Sequence, residues 1–392
     1  MHLSPSVSVR WHDASGHVMS RERSGRKTTA VALLACLAAI LPGQAGPAMA
    51  GRIPHARAGG YWVLTGSPVI GISEQTATLL PAGNVLVAGG KNFASYDAQL
   101  YYPSAGGWVF TGRMVNGRYA HTATLLHTGR VLVAGGYPGA TPAELYDPPT
   151  GAWHATASMH VRRYHQSATL LPDGRVLVAG GYGYTDRPTP TAELYLPNQG
   201  RWRYTGDMAT ARAGQQALLL PNGKVLVAGG EGPSFQIVST AELYDPATGK
   251  WAPTGSMTQG RDEFGITLLP NGMVLAAGGL DSNYDVTATA EIYDPATGVW
   301  TTTGSMAHPR EWTTAVLLRD GLVLMAGGWD GSFPLTSAEL YDPSAGAWSL
   351  TGSMTYGRFQ FTSTLLADGR VLVAGGTNDA YQTAELYTPP SG

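Results

Sequence analysis

Residues 118–153 read RYAHTATLLHTGRVLVAGGYPGATPAELYDPPTGAW, and most of the chain repeats this stretch with substitutions. Double glycines recur at Gly89-Gly90, Gly135-Gly136, Gly180-Gly181, Gly229-Gly230, Gly278-Gly279, Gly327-Gly328 and Gly375-Gly376. Tryptophans recur in register at Trp62, Trp108, Trp153, Trp202, Trp251, Trp300 and Trp348, spaced by 46, 45, 49, 49, 49 and 48 residues. A fixed period near 50 residues identifies an array of one supersecondary unit, not a set of independent domains.

Each unit reads as four short strands. The first, as in Thr122–Leu126, leads into a turn such as Pro172-Asp173-Gly174. The second, RVLVAGG, is a compact apolar run suited to a strand buried on both faces. After a variable loop come the third strand, AELY, a tight Asp-Pro-x-x-Gly turn, and a fourth strand beginning at the Trp. No stretch after residue 50 shows sustained helical periodicity.

Four-stranded units at this period describe propeller blades. The recurring Gly-Gly, Leu/Ile-Tyr and Trp resemble the motifs of the kelch family over about residues 61–388. The resemblance implies an all-β, seven-bladed kelch-type β-propeller formed by residues 51–392 as one domain. The first in-register Trp belongs to a lone fourth strand, and the chain finishes with a third strand at Ala384–Tyr387. The N-terminal strand is therefore predicted to complete the last blade, closing the ring and leaving no long free edge.

Most of the conspicuous side chains repeat, and repetition points to scaffold. Seven tyrosines (Tyr101, Tyr146, Tyr195, Tyr244, Tyr293, Tyr341, Tyr387) share the tryptophans' register and are predicted to pack between blades. Arg118, Arg163, Arg212, Arg261, Arg310 and Arg358 recur with Glu144, Glu193, Glu242, Glu291, Glu339 and Glu385, while the first unit has Ile72 and Gln99 in their places. Joint loss of both charges in one unit predicts that each Arg and Glu are partners, since either left alone and buried is costly. The partner is expected within the blade or on its neighbour.

Strand direction puts the loop after Gly-Gly and the loop before the Arg position on one face. The opposite face carries only monotonous turns, so the variable face is the candidate site. The three residues after each Arg position differ from blade to blade: Ser73-Glu74-Gln75, Tyr119-Ala120-His121, Tyr164-His165-Gln166, Ala213-Gly214-Gln215, Asp262-Glu263-Phe264, Glu311-Trp312-Thr313 and Phe359-Gln360-Phe361. They are expected to ring the mouth of the central channel, together with Lys91, Tyr137, Tyr182, Glu231, Leu280, Trp329 and Thr377 just after each Gly-Gly. Glu74, Asp262, Glu263 and Glu311 bring carboxylates. Tyr119, His121, Tyr164 and His165 lie on blades 2 and 3, and Trp312, Trp329, Phe359 and Phe361 are expected to supply flat apolar surfaces on blades 6 and 7. Carboxylates beside aromatics suit a sugar ring or a basic peptide.

Among propellers of this family, galactose oxidase uses copper with a tyrosine cross-linked to a cysteine. The resemblance does not carry that chemistry here, because the only cysteine, Cys36, lies outside the repeats. No H-x-H or H-E-x-x-H spacing marks a zinc site, so no metal and no cofactor are expected. The D-S-N-Y-D loop, with Asp281, Asn283 and Asp285, offers oxygens at alternating positions for calcium but lacks the glycine and closing glutamate of the twelve-residue calcium loop. Some secreted propellers are polysaccharide lyases or sugar-acid epimerases; on that reading Tyr164, His165 and Glu263 are the catalytic candidates.

The first 50 residues differ from the rest. Arg21, Arg23, Arg26 and Lys27 precede an apolar run, Ala30–Leu41, and small residues end at Ala48-Met49-Ala50. This pattern predicts a secretory signal peptide over residues 1–50, and a secreted or cell-surface location. Leu33-Leu34-Ala35-Cys36 offers a lipoprotein alternative, although the apolar run continues past Cys36. Residues 1–50 carry five basic and two acidic residues, so their removal takes the net charge from −2 to −5. With four lysines in all, the chain has no polybasic surface for nucleic acid. The expectation is a monomeric propeller without a membrane span, binding a glycan or an extracellular protein on its variable face. A cofactor-free carbohydrate-active enzyme is the alternative.

Overall fold

The computed structural model describes residues 10–12, 18–20, 59–71, 73–91, 96–139, 141–377 and 380–390. The chain divides into two compact units, residues 1–55 and 56–392. In the first, Arg10–His12 pairs antiparallel with Val18–Ser20; the apolar run of the expected signal peptide, with Cys36, falls outside the described residues. No helix among the described residues is long and apolar enough to cross a membrane.

The second unit is all-β, seven four-stranded antiparallel sheets. Blades 1 to 7 begin with the inner strands Thr76–Leu79, Thr122–Leu125, Ser167–Leu170, Gln216–Leu219, Gly265–Leu268, Thr314–Leu317 and Thr362–Leu365. Each inner strand packs beside the next, and the last packs beside the first. The ring closes as the register predicts: Tyr61–Leu64 adds to Ala384–Thr388 as the outer strand of blade 7, with Trp62 opposite Tyr387.

The second strand of every blade is buried along its whole length. It lies inside a sheet sandwiched between two others, which is why VLVA reads as an unbroken apolar run. Seven hydrophobic clusters fill the seven seams between blades, including the closing seam, where Val85 and Val87 of blade 1 meet Leu372 and Leu386 of blade 7. Each such buried side chain contributes roughly 1.5–3 kcal/mol.

The recurring aromatics also work across seams. Each repeat Tyr hydroxyl meets a Thr hydroxyl of the preceding blade, from Thr65 with Tyr101 at 2.7 Å round to Thr351 with Tyr387 at 2.8 Å. Beside it, the Trp indole N–H reaches back to a preceding-blade carbonyl in six of the seven repeats, Trp300 excepted, as Trp153 does to Gly112 O at 2.8 Å. The tyrosines and all but one of these tryptophans thus satisfy their polar tips at the seam.

Each recurring Arg pairs with the Glu of its own blade. Nη2 lies 2.7–3.1 Å from the carboxylate in all six, and the Arg side chains are almost completely buried. In Arg212, Nη1 donates to Gly229 O and Thr240 O, both at 2.9 Å. Glu242 accepts the backbone N–H of Ala209 at 2.7 Å and of Thr210 at 3.0 Å, pinning the segment that leads in from blade 3. In blade 1, Gln99 Oε1 takes the equivalent N–H of Val69 at 2.6 Å without a charge. The Arg backbone points the other way: Gly181 N–H of blade 3 donates to Arg212 O at 2.9 Å. Gly180 and Gly181 have φ of 66° and 88°, and a Cβ on Gly180 would press on Arg212 O. The double glycine is thus required twice over, for its conformation and for the close approach of the next blade.

Breaking one pair should therefore be worse than removing both charges. Arg212→Ile alone should lower the unfolding free energy by about 3–5 kcal/mol, since Glu242 is then left buried without its cation. Arg212→Ile with Glu242→Gln, which copies the residues of the first repeat, should recover much of that loss. Denaturant unfolding of both variants and of Glu242→Gln alone makes the comparison, and additive losses would mean that the pair is not coupled.

Candidate functional site

Because Arg is pinned inside its blade and its carbonyl to the previous one, the three residues that follow are delivered to the channel mouth in blades 2 to 7. The first of them pairs with the residue after Gly-Gly: Tyr119 with Tyr137, Tyr164 with Tyr182, Ala213 with Glu231, Asp262 with Leu280 and Glu311 with Trp329. Lys91 N–H to Ser73 O and Thr377 N–H to Phe359 O make the same contact in blades 1 and 7.

The second residue of each triad is left-handed. Glu74, Ala120, His165, Glu263, Trp312 and Gln360 have φ between 50° and 56°, and Gly214 has 69°. This conformation costs a non-glycine residue about 1–2 kcal/mol, and the compensation is a belt of backbone hydrogen bonds around the mouth. Each N–H donates to the carbonyl of the same residue one blade back: Ala120 to Glu74 at 3.3 Å, His165 to Ala120 at 3.0 Å, Gly214 to His165 at 3.0 Å, Trp312 to Glu263 at 3.0 Å, Gln360 to Trp312 at 3.4 Å, and Glu74 to Gln360 at 3.2 Å. Among the described residues the belt is interrupted once, between Gly214 and Glu263. There the Glu263 N–H is turned to the Asp262 carboxylate, and Asp262 Oδ1 occupies the space that a Cβ on residue 214 would need.

The mouth has two aromatic sides. On blades 2 and 3, Tyr119 packs on Tyr137 at 5.5 Å between ring centroids, Tyr137 on Tyr164 at 5.8 Å and Tyr164 on Tyr182 at 5.0 Å. Arg162 lies 5.6 Å over both Tyr137 and Tyr164. Lys91 sits 3.5 Å from Glu74 Oε1 and over the Tyr119 ring. On blades 6 and 7, Trp312 stacks on Phe359 at 5.3 Å, with Trp329 tilted against the same ring at 5.2 Å. Between them runs a carboxylate arc of Glu231, Asp262, Glu263 and Glu311. Tyr182 donates a short hydrogen bond to Glu231, and the Trp312 side chain bonds to Glu263. His165 Nδ1 faces Glu263 Oε1 at 4.0 Å across the gap left by Gly214. A cavity of about 300 Å³ lined by Ala120, His165, Gly214 and Glu263 opens here.

Three residues expected to furnish surface lie beneath it. Phe359 is only 9% exposed and supports the two tryptophans from below, and Phe361 belongs to the seam between blades 6 and 7. His121 occupies the seam between blades 1 and 2, its Nε2 3.0 Å from Thr76 Oγ1; Gln75, Gln166 and Gln215 hold this position in other blades and donate to an alanine carbonyl of the preceding blade. Glu231, which the reading by triads left outside the carboxylate group, joins it only through the pairing of Ala213 with Glu231. In the D-S-N-Y-D loop, Asp281 Oδ1 accepts the N–H of Asn283 at 2.7 Å and of Asp285 at 3.0 Å, and Oδ2 accepts from Gln259 at 2.9 Å. Its carboxylate is a turn cap, and the calcium alternative loses its leading ligand. A second cavity of about 260 Å³ on the turn face, beside Arg370 and its partner Asp368, brings together no comparable chemistry.

The electrostatics of the arc are unusual. Burial, then the nearby Glu311 and Glu74, push the Glu263 carboxyl up to about 8. Burial and Asp262 push Glu311 up to about 8 as well. Asp262 is held well above the usual carboxylate range by burial and by Glu263 and Glu231, and burial raises Glu231. Burial also lowers His165 and takes His121 down to about 3. Near neutral pH Glu263 and Glu311 therefore hold protons while the facing imidazole of His165 is neutral, an arrangement suited to donating and accepting hydrogen bonds.

Residues 269–307 and 314–355, two of the repeats, match the family model for the Kelch motif. In structure, the chain is similar to a fungal alcohol oxidase of the AA5 family solved in complex with copper, with a TM-score of 0.70 and 20% identity, covering 86% of this chain and 76% of that one. At that identity the likeness concerns the fold. No curated protein matches the chain in sequence. The residues at this mouth do not fit a copper centre like that of galactose oxidase: Cys36 is not part of the propeller repeats, and among the described residues no three His, Cys or carboxylate side chains converge to hold a metal ion.

These shifts predict a stability profile with two limbs. A carboxyl whose value is raised by folding contributes fully below its ordinary value and loses that contribution as pH rises through 8. The melting temperature should therefore fall from pH 5 to pH 9, and Glu263→Gln with Glu311→Gln should flatten this limb. His121, lowered by folding, stabilises above pH 6.5 and loses its contribution as pH falls toward 3, so His121→Gln should shrink the acid limb. Thermal unfolding across pH checks both; parallel profiles for wild type and variants would refute the assignment.

Proposed function

We propose that this kelch-repeat β-propeller is an exported binding module whose ligand, a glycan, seats at the channel mouth. The observation that carries this reading is the carboxylate arc of blades 4 to 6, which meets the stacked Trp312 and Trp329 on one side and, through Glu263, a cavity of about 300 Å³ lined by blades 2 to 4 on the other. A pyranose presents C–H groups on its faces and hydroxyls at its edge. The indoles match the first, and partly protonated carboxyls, which both donate and accept, match the second. The monotonous turn face supplies the rigid scaffold. The leader-like pattern of residues 1–50 supports export, which places glycans of a cell surface or matrix within reach.

One contact favours a second reading, in which the same site is catalytic. His165 and Glu263 face each other at 4.0 Å over the cavity, with Tyr164 alongside His165 at 5.7 Å between rings. A neutral imidazole and a protonated carboxyl are a base and an acid available together, as a lyase or epimerase acting on a sugar acid requires.

Screening the purified protein on a glycan array, and then incubating each hit with protein to look for cleaved or unsaturated products, separates the readings. Binding without product supports the module. Under it, Trp312→Ala should weaken binding by about tenfold or more and His165→Ala only slightly, with the fold intact by circular dichroism. If product forms, His165→Ala and Glu263→Ala should abolish turnover while binding survives. Silence across the array, or binding indifferent to Trp312→Ala, would overturn the glycan seat at this mouth.

A further inference from the structure

The arc formed by Glu231, Asp262, Glu263 and Glu311 gathers four carboxylates from three consecutive blades. The arginines nearest to them in sequence are consumed elsewhere: Arg212, Arg261 and Arg310 lie buried in their own blades on Glu242, Glu291 and Glu339. Lys91 is engaged with Glu74. Among the described residues, the only basic side chain within 4.0 Å of the arc is His165, beside Glu263.

Two oxygens in the arc are unanswered. Asp262 Oδ1 and Glu311 Oε2 belong to side chains that are 7% and 4% exposed, and neither has a hydrogen-bond partner among the described residues. Asp262 Oδ1 projects over Gly214 at the one break in the backbone belt, beside the cavity lined by Gly214, His165 and Glu263. A buried acceptor without a donor is a standing cost of about 1–3 kcal/mol, and glycine at position 214 is what leaves room for it. The arrangement fits a donor that arrives with the ligand.

We propose that this arc is the seat of a protonated primary amine on the ligand. Resting on the glycan reading above, the ligand class is an amino sugar bearing a free amine. An ammonium is compact, carries three donors and no acceptor, and can answer several carboxyl oxygens at once, its charge displacing to solvent the protons that burial keeps on Glu263 and Glu311. A divalent metal ion is a poorer match, since no three of these side chains converge closely enough to coordinate one. A neutral N-acetylated sugar would leave the buried oxygens short of donors and add an acetyl group to the crowd. The adjoining indoles suit the ring that carries the amine, and an ammonium beside them gains a cation–π contribution.

The test is titration calorimetry of the full protein with oligomers of glucosamine, the same oligomers N-acetylated, and spermidine as an amine without a sugar. The free-amine oligomers should bind at least about tenfold tighter than the acetylated ones, and Asp262→Asn with Glu311→Gln should erase the difference. That double variant removes buried like-charge repulsion, so its melting temperature at pH 8 should match or exceed that of wild type, and a lower affinity would not reflect misfolding. Spermidine binding that is lost in the variant, with no oligomer binding, would uphold the amine seat and overturn the glycan reading. Equal binding of both oligomers would overturn the amine seat and leave the glycan reading standing. A free-amine preference unchanged in the variant, or no binding by any amine, would overturn the amine seat.

Discussion

The buried arginine–glutamate pair is the interaction on which the rest of this propeller depends. It is internal to a blade, yet its two ends reach outward. The glutamate accepts backbone N–H groups from the segment arriving from the blade before, as Glu242 does from Ala209 and Thr210. The arginine carbonyl meets the double glycine of that same preceding blade. A buried ion pair contributes little net stability, because desolvation offsets much of the attraction. Its value here is geometric: two rigid charged groups, satisfied on every side except the Arg Nε in most blades, leave one way for a blade to follow its neighbour. The neutral Gln99 of blade 1 makes the same backbone contacts, so the fold needs the hydrogen bonds more than the charge.

In blades 2 to 7 the residues at the mouth inherit their position from this pair. The residues after the arginine enter a belt of left-handed backbone whose hydrogen bonds run from blade to blade, a ring closed in six of seven steps. Side chains mounted on such a belt can vary without disturbing the scaffold, which is why Ala, His, Gly, Glu and Trp all occupy the same conformation. The one break coincides with the carboxylate arc. The belt gives up a bond where Asp262 turns back on the Glu263 N–H, and the arc there holds two buried oxygens without a partner among the described residues, one of them over Gly214. Two unanswered carboxyl oxygens at the one break in the backbone belt are the kind of local departure that marks a site.

The likeness to a copper-containing oxidase bears on the frame and stops there. Propellers of this kind share blades and a channel mouth, while the groups at the mouth decide the chemistry. Here those groups are carboxyls pushed up by burial and mutual repulsion, an imidazole pushed down, and two tryptophans held by a buried phenylalanine.

The amino-acid sequence by itself determined the blade count, the strand order within each blade, the closure by Tyr61–Leu64, and the pairing of arginine with glutamate. These follow from period, apolar runs and joint substitution at Ile72 and Gln99, all properties of local spacing or of repeats compared with one another. It also marked the variable face and most of the residues on it. What only the tertiary structure decided is which of those residues meet. That His121 and Phe361 turn into seams, that Glu231 joins Asp262 and Glu311, and that Gly214 is small for the sake of Asp262 are relations between different blades. The reason is physical: a repeat fixes where each backbone runs, but the direction of a side chain and its burial are set by the neighbouring blade, whose residue at that point need not repeat.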